Sequence, residues 1–174
     1  TFFKGVYRLE PGHQLVFENS KLSITKYFSL KFEETDEDMD TIVKKIDKAM
    51  RDSVKHHEIA DVEVGSFLSS GIDSSYLVSI AKPDRTYTVG YDNPKYDEIS
   101  YAKDLASKLG ISNTSKKITK EEYMKNFSNI MYHMDEPLAD PSAIALYFVA
   151  EIASKDVKVV LSGEGADELF GGYN

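Results

Sequence analysis

Residues 61–91, DVEVGSFLSSGIDSSYLVSIAKPDRTYTVGY, decide the fold class. Residues 61–68 and 85–91 are rich in β-branched and aromatic side chains and predict two strands, whereas residues 74–81 between them predict a helix. A strand, a crossover helix and a second strand make a parallel pair. The pattern then repeats. Residues 97–109 predict a helix closed by Gly110, residues 113–118 a third strand, residues 121–134 and 142–154 two helices, and the short apolar run VKVVL at 157–161 another strand. Asp140-Pro141-Ser142 introduces the second of those helices. Alternating strands and helices of this kind imply an α/β fold with a parallel sheet covered by helices on both faces.

Upstream, residues 5–9, 14–17 and 21–28 carry β-type runs, separated by turn formers at Pro11-Gly12 and Asn19-Ser20, and predict a short antiparallel meander. An acidic burst follows, from Glu33 to Asp40. Thr35 and Asp38 have the spacing of a capping box, and Met39, Ile42, Val43, Ile46, Met50 and Val54 recur at helical spacing. One amphipathic helix over about residues 36–57 accounts for both features, with its acids at the positive end of the dipole.

Composition excludes several classes of function. Of 174 residues, 21 are basic and 29 acidic, for a net charge of −8. That balance argues against nucleic acid or an anionic membrane as partner. Cysteine is absent, which removes disulfides, thiolate metal sites and a cysteine nucleophile from the chain. The first residues lack a signal-peptide layout and no long apolar run occurs, so the expectation is a soluble, cytoplasmic protein. The chain starts without methionine and stops shortly after a Gly-Gly pair, which predicts a piece of something longer. His13, His133 and the His56-His57 pair are too scattered for a histidine metal site, and Lys116-Lys117 is expected to be solvated.

In an open parallel sheet, ligands bind beyond the carboxyl ends of strands. Beyond Leu68 the sequence reads Ser69-Ser70-Gly71-Ile72-Asp73-Ser74-Ser75 and runs straight into a helix. Small residues, hydroxyls and backbone N–H groups at a helix start make a cradle for an anion. The loop is neither a Walker A motif nor a nucleophile elbow, and a plain serine-rich helix cap is the simpler alternative. Beyond Leu161 comes Ser162-Gly163-Glu164-Gly165-Ala166-Asp167-Glu168-Leu169-Phe170-Gly171-Gly172-Tyr173. Three acids beside two glycines allow close backbone approach and offer hard oxygen ligands suited to magnesium. Gly163-Glu164-Gly165 mimics the start of a dinucleotide fingerprint, but Glu168 stands where its third glycine belongs.

The two loops together resemble those of the N-type ATP pyrophosphatases, and in particular the family of glutamine-dependent asparagine synthetases. Ser69 to Ser74 is similar to that family's Ser-Gly-Gly-x-Asp-Ser pyrophosphate loop, with Ser70 in place of the first glycine. LSGEGADELFGGY at 161–173 is the longer and more specific match. YDEISYAKDLASKLG at 96–110, DEPLADPSAIALY at 135–147 and the opening FFKGVYRLEPGHQL extend the similarity over nearly the whole chain.

The resemblance implies an adenine nucleotide alpha hydrolase-like, Rossmann-like fold. Residues 1–33 would be the end of a glutaminase region with linker strands, and residues 34–174 a synthetase domain that is incomplete at its C-terminal side. It implies ATP and magnesium as cofactors, with aspartate and glutamine-derived ammonia as further substrates. The partner domain would be a glutaminase outside this chain, and a homodimer is one assembly open to the full enzyme. Aspartate would attack the α-phosphate of ATP to release pyrophosphate, and ammonia would then displace AMP.

By the family pattern, Leu68, Val89, Gly90 and Gly163 line the adenine slot with a polar contact from Ser162. Ser69, Ser70, Gly71, Asp73 and Ser74 hold the pyrophosphate, Asp73 and Asp167 hold magnesium, and Glu164 positions or deprotonates the ammonia. Asp135, Glu136 and Asp140 are expected as loop scaffolding near the site, with contact to substrate or metal an open alternative. Two other readings stay open. One is a different amide- or lactam-forming enzyme of the same family, decided by its acceptor pocket. The other is a nucleotide-binding module without catalysis, which would not require the acids at 164, 167 and 168.

Overall fold

The computed structural model describes residues 1–92, 98–135, 137–140 and 142–172. Asp97, Glu136, Pro141 and Tyr173, each part of a sequence expectation, lie outside the described residues. The chain divides into two compact units, residues 1–42 and 43–174.

In the first unit, β1 (His13–Glu18) and β2 (Lys21–Lys26) pair antiparallel from His13 opposite Lys26 to Glu18 opposite Lys21. Asn19 and Ser20 close the hairpin with φ of 50° and 61°, the paired positive values that match the twist of the flanking strands. The expected three-stranded meander is therefore a two-stranded hairpin. Residues 5–9 form no strand because the chain turns on itself there. Gly5 has φ of 84°, and the Val6 N–H donates to the Phe3 carbonyl at 3.2 Å. The second strand ends at Lys26 because the next two amides, of Tyr27 and Phe28, both donate to the Gly12 carbonyl, at 2.8 and 3.1 Å.

Helix α1 (Met39–His57) crosses from the first unit into the second. Its cap is Asp38 rather than Thr35. The Thr41 amide donates to Asp38 Oδ1 at 2.9 Å and the Thr41 hydroxyl to Oδ2 at 2.8 Å. A carboxylate satisfies an orphan N–H at the positive end of the dipole better than a neutral hydroxyl does.

The second unit holds four parallel strands, β3 (Val64–Phe67), β4 (Arg85–Tyr91), β5 (Ser112–Ile118) and β6 (Val159–Leu161), in the spatial order β5-β4-β3-β6. They alternate with α2 (Ile72–Ala81), α3 (Glu98–Leu109), α4 (Lys120–His133) and α5 (Ser142–Ala153), and α6 (Ala166–Phe170) follows β6. Two packing clusters show that the helices cover both faces. Leu68 packs with Val78 of α2 and with Ala102 and Ala106 of α3, whereas Tyr87, one strand over and facing the other way, packs with Val149 and Ile152 of α5. Ile118 meets Ile130 of α4 and Ile144 and Phe148 of α5 on that second face. Val54 ties α1 to Leu77 and Leu161 on the first. The chain thus moves outward from β3 to β4 and β5, then returns to add β6 on the opposite side of β3. The strand order reverses between β3 and β6, and the crevice above that point is where this architecture binds ligands.

Polar side chains inside the first face form a short network, in which the Asn113 side-chain oxygen is buried without a hydrogen-bond partner among the described residues. Thr88 Oγ1 donates to the Leu68 carbonyl at 2.7 Å, and the Asn113 side-chain amide donates to both Thr86 and Thr88 hydroxyls at 3.0 Å. Helix α4 begins with a capping box that the sequence reading missed: Thr119 accepts from the Glu122 amide and Glu122 from the Thr119 amide, each at 3.1 Å. Lys116 also corrects an expectation, being held rather than solvated. Its ammonium lies 3.0 Å from Glu151, 3.2 Å from Glu122 and 4.6 Å from the centre of the Phe148 ring. Its neighbour Lys117 is exposed and faces Asp92 at 3.5 Å.

Candidate active site

Above the switch point lies a cavity of 370 Å³. The end of β3 and the loop after it contribute Phe67, Leu68, Ser69, Gly71, Asp73 and Ser74, and β4 contributes Tyr87 and Val89. The loop after β6 brings Ser162, Gly163, Glu164 and Gly165, and α6 adds Asp167 and Glu168. Ten residues singled out from the sequence meet here. Ser70 and Gly90 are not among the lining residues. Ser70 is exposed, and the face of Gly90 that lacks a side chain is turned to Ile99 of α3, 3.0 Å from where a Cβ would stand.

The first loop is closed by its own serines. The Ser69 and Ser74 hydroxyls are 2.8 Å apart, the Ser69 amide donates to Ser74 Oγ at 3.1 Å, and the Gly71 amide donates to Ser69 Oγ at 3.1 Å. This ring holds the turn into α2 without drawing on the helix's first N–H groups, which have no intrahelical carbonyl to use. Gly71 caps α2 with extended backbone and no side-chain bond. The cradle geometry therefore comes from backbone and hydroxyls, as an anion requires.

The second loop presses against the first. A Cβ on Gly163 would come 3.1 Å from the Ser74 amide nitrogen, so only glycine lets the two loops approach this closely. Gly165, at φ of 95°, turns the chain into α6. Gly171 and Gly172 then fold back on that short helix, and their amides both donate to the Asp167 carbonyl, at 2.9 and 3.1 Å. A side chain at Gly172 would collide with the Asp167 carboxylate. The glycines at 163, 165, 171 and 172 are thus what allow three acidic residues to be presented at one strand end.

The sequence reading missed the far wall. Ser142, Ala145, Leu146 and Val149 of α5 line the cavity at helical spacing, i, i+3, i+4 and i+7, and Glu98 enters from the first turn of α3. The spacing is visible in the sequence, but which ligand space the stripe faces depends on where α5 lands. Asp140 caps α5, accepting from the Ser142 amide at 2.9 Å, and that bond holds its carboxyl below the usual range. This agrees with the scaffolding role expected of it.

Asp73, Glu98, Glu164, Asp167 and Glu168 place five carboxylates around one cavity. Among the described residues no group of three acids or histidines is close enough to hold a metal ion unaided. The donor set still fits magnesium arriving with a nucleotide. That ion keeps several waters and takes phosphate oxygens plus one or two carboxylates, and Asp73 and Asp167 could supply the latter from the first turns of α2 and α6. Among the described residues, no helix is long and apolar enough to cross a membrane.

Comparison with known proteins places this site in a family. The family model for asparagine synthase matches residues 45–174, which include both loops, the acids and the α5 wall. The chain belongs to the asparagine synthase family. It is 49% identical over 174 residues to asparagine synthetase [glutamine-hydrolyzing] 1 of Bacillus subtilis, covering 97% of this chain and 28% of that protein. It is 40% identical over 182 residues to a putative asparagine synthetase [glutamine-hydrolyzing] of Mycobacterium tuberculosis, covering 99% of this chain and 28% of that protein. Amidase chyE of Penicillium rubens is 31% identical, over 100% of this chain and 30% of its own length. The chain thus spans about 28% of the length of the first two relatives. Among solved structures, an NH3-dependent NAD synthetase from Campylobacter jejuni aligns with a TM-score of 0.48 and 14% identity, over 75% of this chain and 60% of that one.

Proposed function

We propose that this chain is the ATP-handling part of a glutamine-hydrolysing asparagine synthetase, in which aspartate is adenylated and the adenylate is then amidated by ammonia. The observation that carries this reading is the meeting of the loops after β3 and β6 in one cavity at the switch point, within the segment that matches the family model. In this reading residues 1–33 lead in from a glutaminase region, which supplies ammonia from glutamine, and residues 34–174 belong to the synthetase domain.

The base lies between Leu68 and Val89, with Ser162 and Gly163 offering polar and backbone partners. The triphosphate extends over the first loop toward the start of α2, where backbone N–H groups and the positive end of the dipole face it. Attack of the aspartate carboxylate on the α-phosphorus forms a C–O–P anhydride link and breaks the bond to pyrophosphate, whose growing charge the loop amides stabilise. Magnesium held by Asp73 and Asp167 would neutralise phosphate charge when bound. Ammonia then attacks the activated carbonyl and AMP departs. Glu164, on the loop between the two cavity walls, orients the ammonia and takes its proton.

The acceptor decides between this reading and a related amide-forming enzyme, and product analysis with aspartate against other carboxylic acids separates them. The nucleotide role is tested by calorimetric titration of Asp73→Asn and Asp167→Asn with ATP-magnesium and with AMP. Each variant should lose about tenfold or more for the triphosphate and little for AMP, which carries no pyrophosphate to neutralise. Equal losses for both nucleotides would refute the metal role of these carboxylates.

A further inference from the structure

Directly behind the first loop, α2 is tied to α1 by a polar clamp that the site described above does not include. The Tyr76 hydroxyl donates to Asp47 Oδ1 at 2.7 Å, and Arg51 Nε donates to Asp47 Oδ2 at 2.8 Å. Arg51 lies one turn beyond Asp47 on α1, so the carboxylate is aimed before Tyr76 reaches it. Tyr76 lies three residues beyond Asp73, so both side chains leave α2 on the same side. Both also line a second cavity, of 560 Å³, which shares residues 162–165 with the first. Asp73 belongs to both cavities.

We propose that Tyr76 is a positioning residue: its bond to Asp47 sets the orientation of the first turn of α2 and thereby aims Asp73 and the loop amides at the triphosphate. This rests on the nucleotide reading given above.

Three observations support it. The cap residue Gly71 has no side-chain bond that could anchor the helix start. The serine ring closes the loop on itself, its bonds running between residues 69 and 75. On its other side the first turn abuts the bare backbone of Gly163, a contact that limits approach but cannot pull. The apolar contact of α2 with α1, Leu77 against Val54, has no directional preference, so it permits rocking that a short hydrogen bond to a carboxylate resists.

The test compares Tyr76→Phe, Asp47→Ala, the double variant and Asp47→Asn by titration with ATP-magnesium and AMP, together with deuterium uptake of residues 69–78 in the unliganded chain. Removing either partner should weaken ATP-magnesium binding about tenfold while AMP changes little, since misaimed groups lose what precise positioning supplies. Uptake in the first turn of α2 should rise in the same variants. The double variant should be no worse than either single one, because the two residues act through one bond. Asp47→Asn keeps an acceptor oxygen for Tyr76 and should stay within about threefold of the parent.

Equal losses for both nucleotides, or unchanged uptake in Tyr76→Phe, would overturn the clamp while leaving the nucleotide reading in place. A parent chain that binds neither nucleotide would overturn both.

Discussion

Gly163→Ala probes the closest approach in the site. The new Cβ would stand 3.1 Å from the Ser74 amide nitrogen and 3.4 Å from both the Asp73 carbonyl carbon and the Ser74 Cα, where 3.4–4 Å is ordinary contact. All three atoms are backbone of the first turn of α2, so no rotamer change relieves them. The turn and the loop must separate by about 0.3–0.5 Å, on the steep side of the van der Waals well. Overpacking of this kind costs about 1–3 kcal/mol. Replacing glycine also restricts the unfolded chain, which returns about 0.4–1 kcal/mol. The net expectation is a loss of about 0–2.6 kcal/mol, and at its midpoint of about 1.3 kcal/mol the melting temperature falls by roughly 3–5 °C for a chain of this size.

Gly90→Ala is the matched comparison. Its Cβ would come as near, 3.0 Å, but to the Cγ1 of Ile99, a buried β-branched side chain on α3 and not on either loop, so a similar loss of stability should come without a loss of ATP-magnesium affinity. Because the Gly163 wedge opens the two loops that flank the proposed phosphate site, ATP-magnesium affinity should fall along with stability. Differential scanning calorimetry and titration calorimetry on both variants give the two numbers. A Gly163→Ala chain that melts with the parent and binds ATP-magnesium equally well would refute the idea that contact between the loops sets the site.

Thr88→Val removes the hydroxyl that donates to the Leu68 carbonyl and accepts from Asn113. Both partners are then left short of a bond in the interior, at a cost of about 1–3 kcal/mol, measurable as a lower urea midpoint with unchanged slope. Stability should also depend on pH in acid. The Thr41 amide holds Asp38, Arg51 then Tyr76 hold Asp47, the Thr119 amide then Lys116 hold Glu122, and the Ser142 amide holds Asp140 below ordinary carboxylate values. A pKa lower in the folded than in the unfolded state adds stability above the unfolded value, about 4, that is lost as pH falls through the folded one. The urea midpoint should therefore be flat above about pH 5 and decline below it. For Lys116, burial pulls the pKa down and the bonds to Glu151 and Glu122 more than offset it. Its contribution is present throughout the neutral range and is lost only as pH rises through its raised value above 10.5. A midpoint that keeps rising between pH 6 and 8 would contradict this assignment.

What could be read from the sequence was what short-range pattern controls. β4 runs from Arg85 to Tyr91 as its residue types predict, because a buried parallel strand needs only a continuous β-branched and aromatic run. The two loops were visible because their chemistry is local: small residues before a helix, and acids among glycines after an apolar strand. Local pattern misled where two local solutions competed, as at Gly5, where a turn displaced a strand, and at Asp38, where a carboxylate outbid Thr35 for the helix start.

The remaining features join residues far apart in the chain, and only packing could bring them together. Gly163 meets Ser74, α5 turns its stripe from Ser142 to Val149 toward the cavity, and Lys116 is held between α4 and α5. Asp47 reaches Tyr76 on the same terms. Amphipathic spacing tells a helix which side to bury but not what it will be buried against, since burial of apolar area has no direction. That choice is made by the crossovers, which send the chain out over one face of the sheet, bring it back over the other, and so open the crevice between β3 and β6 where the two loops meet.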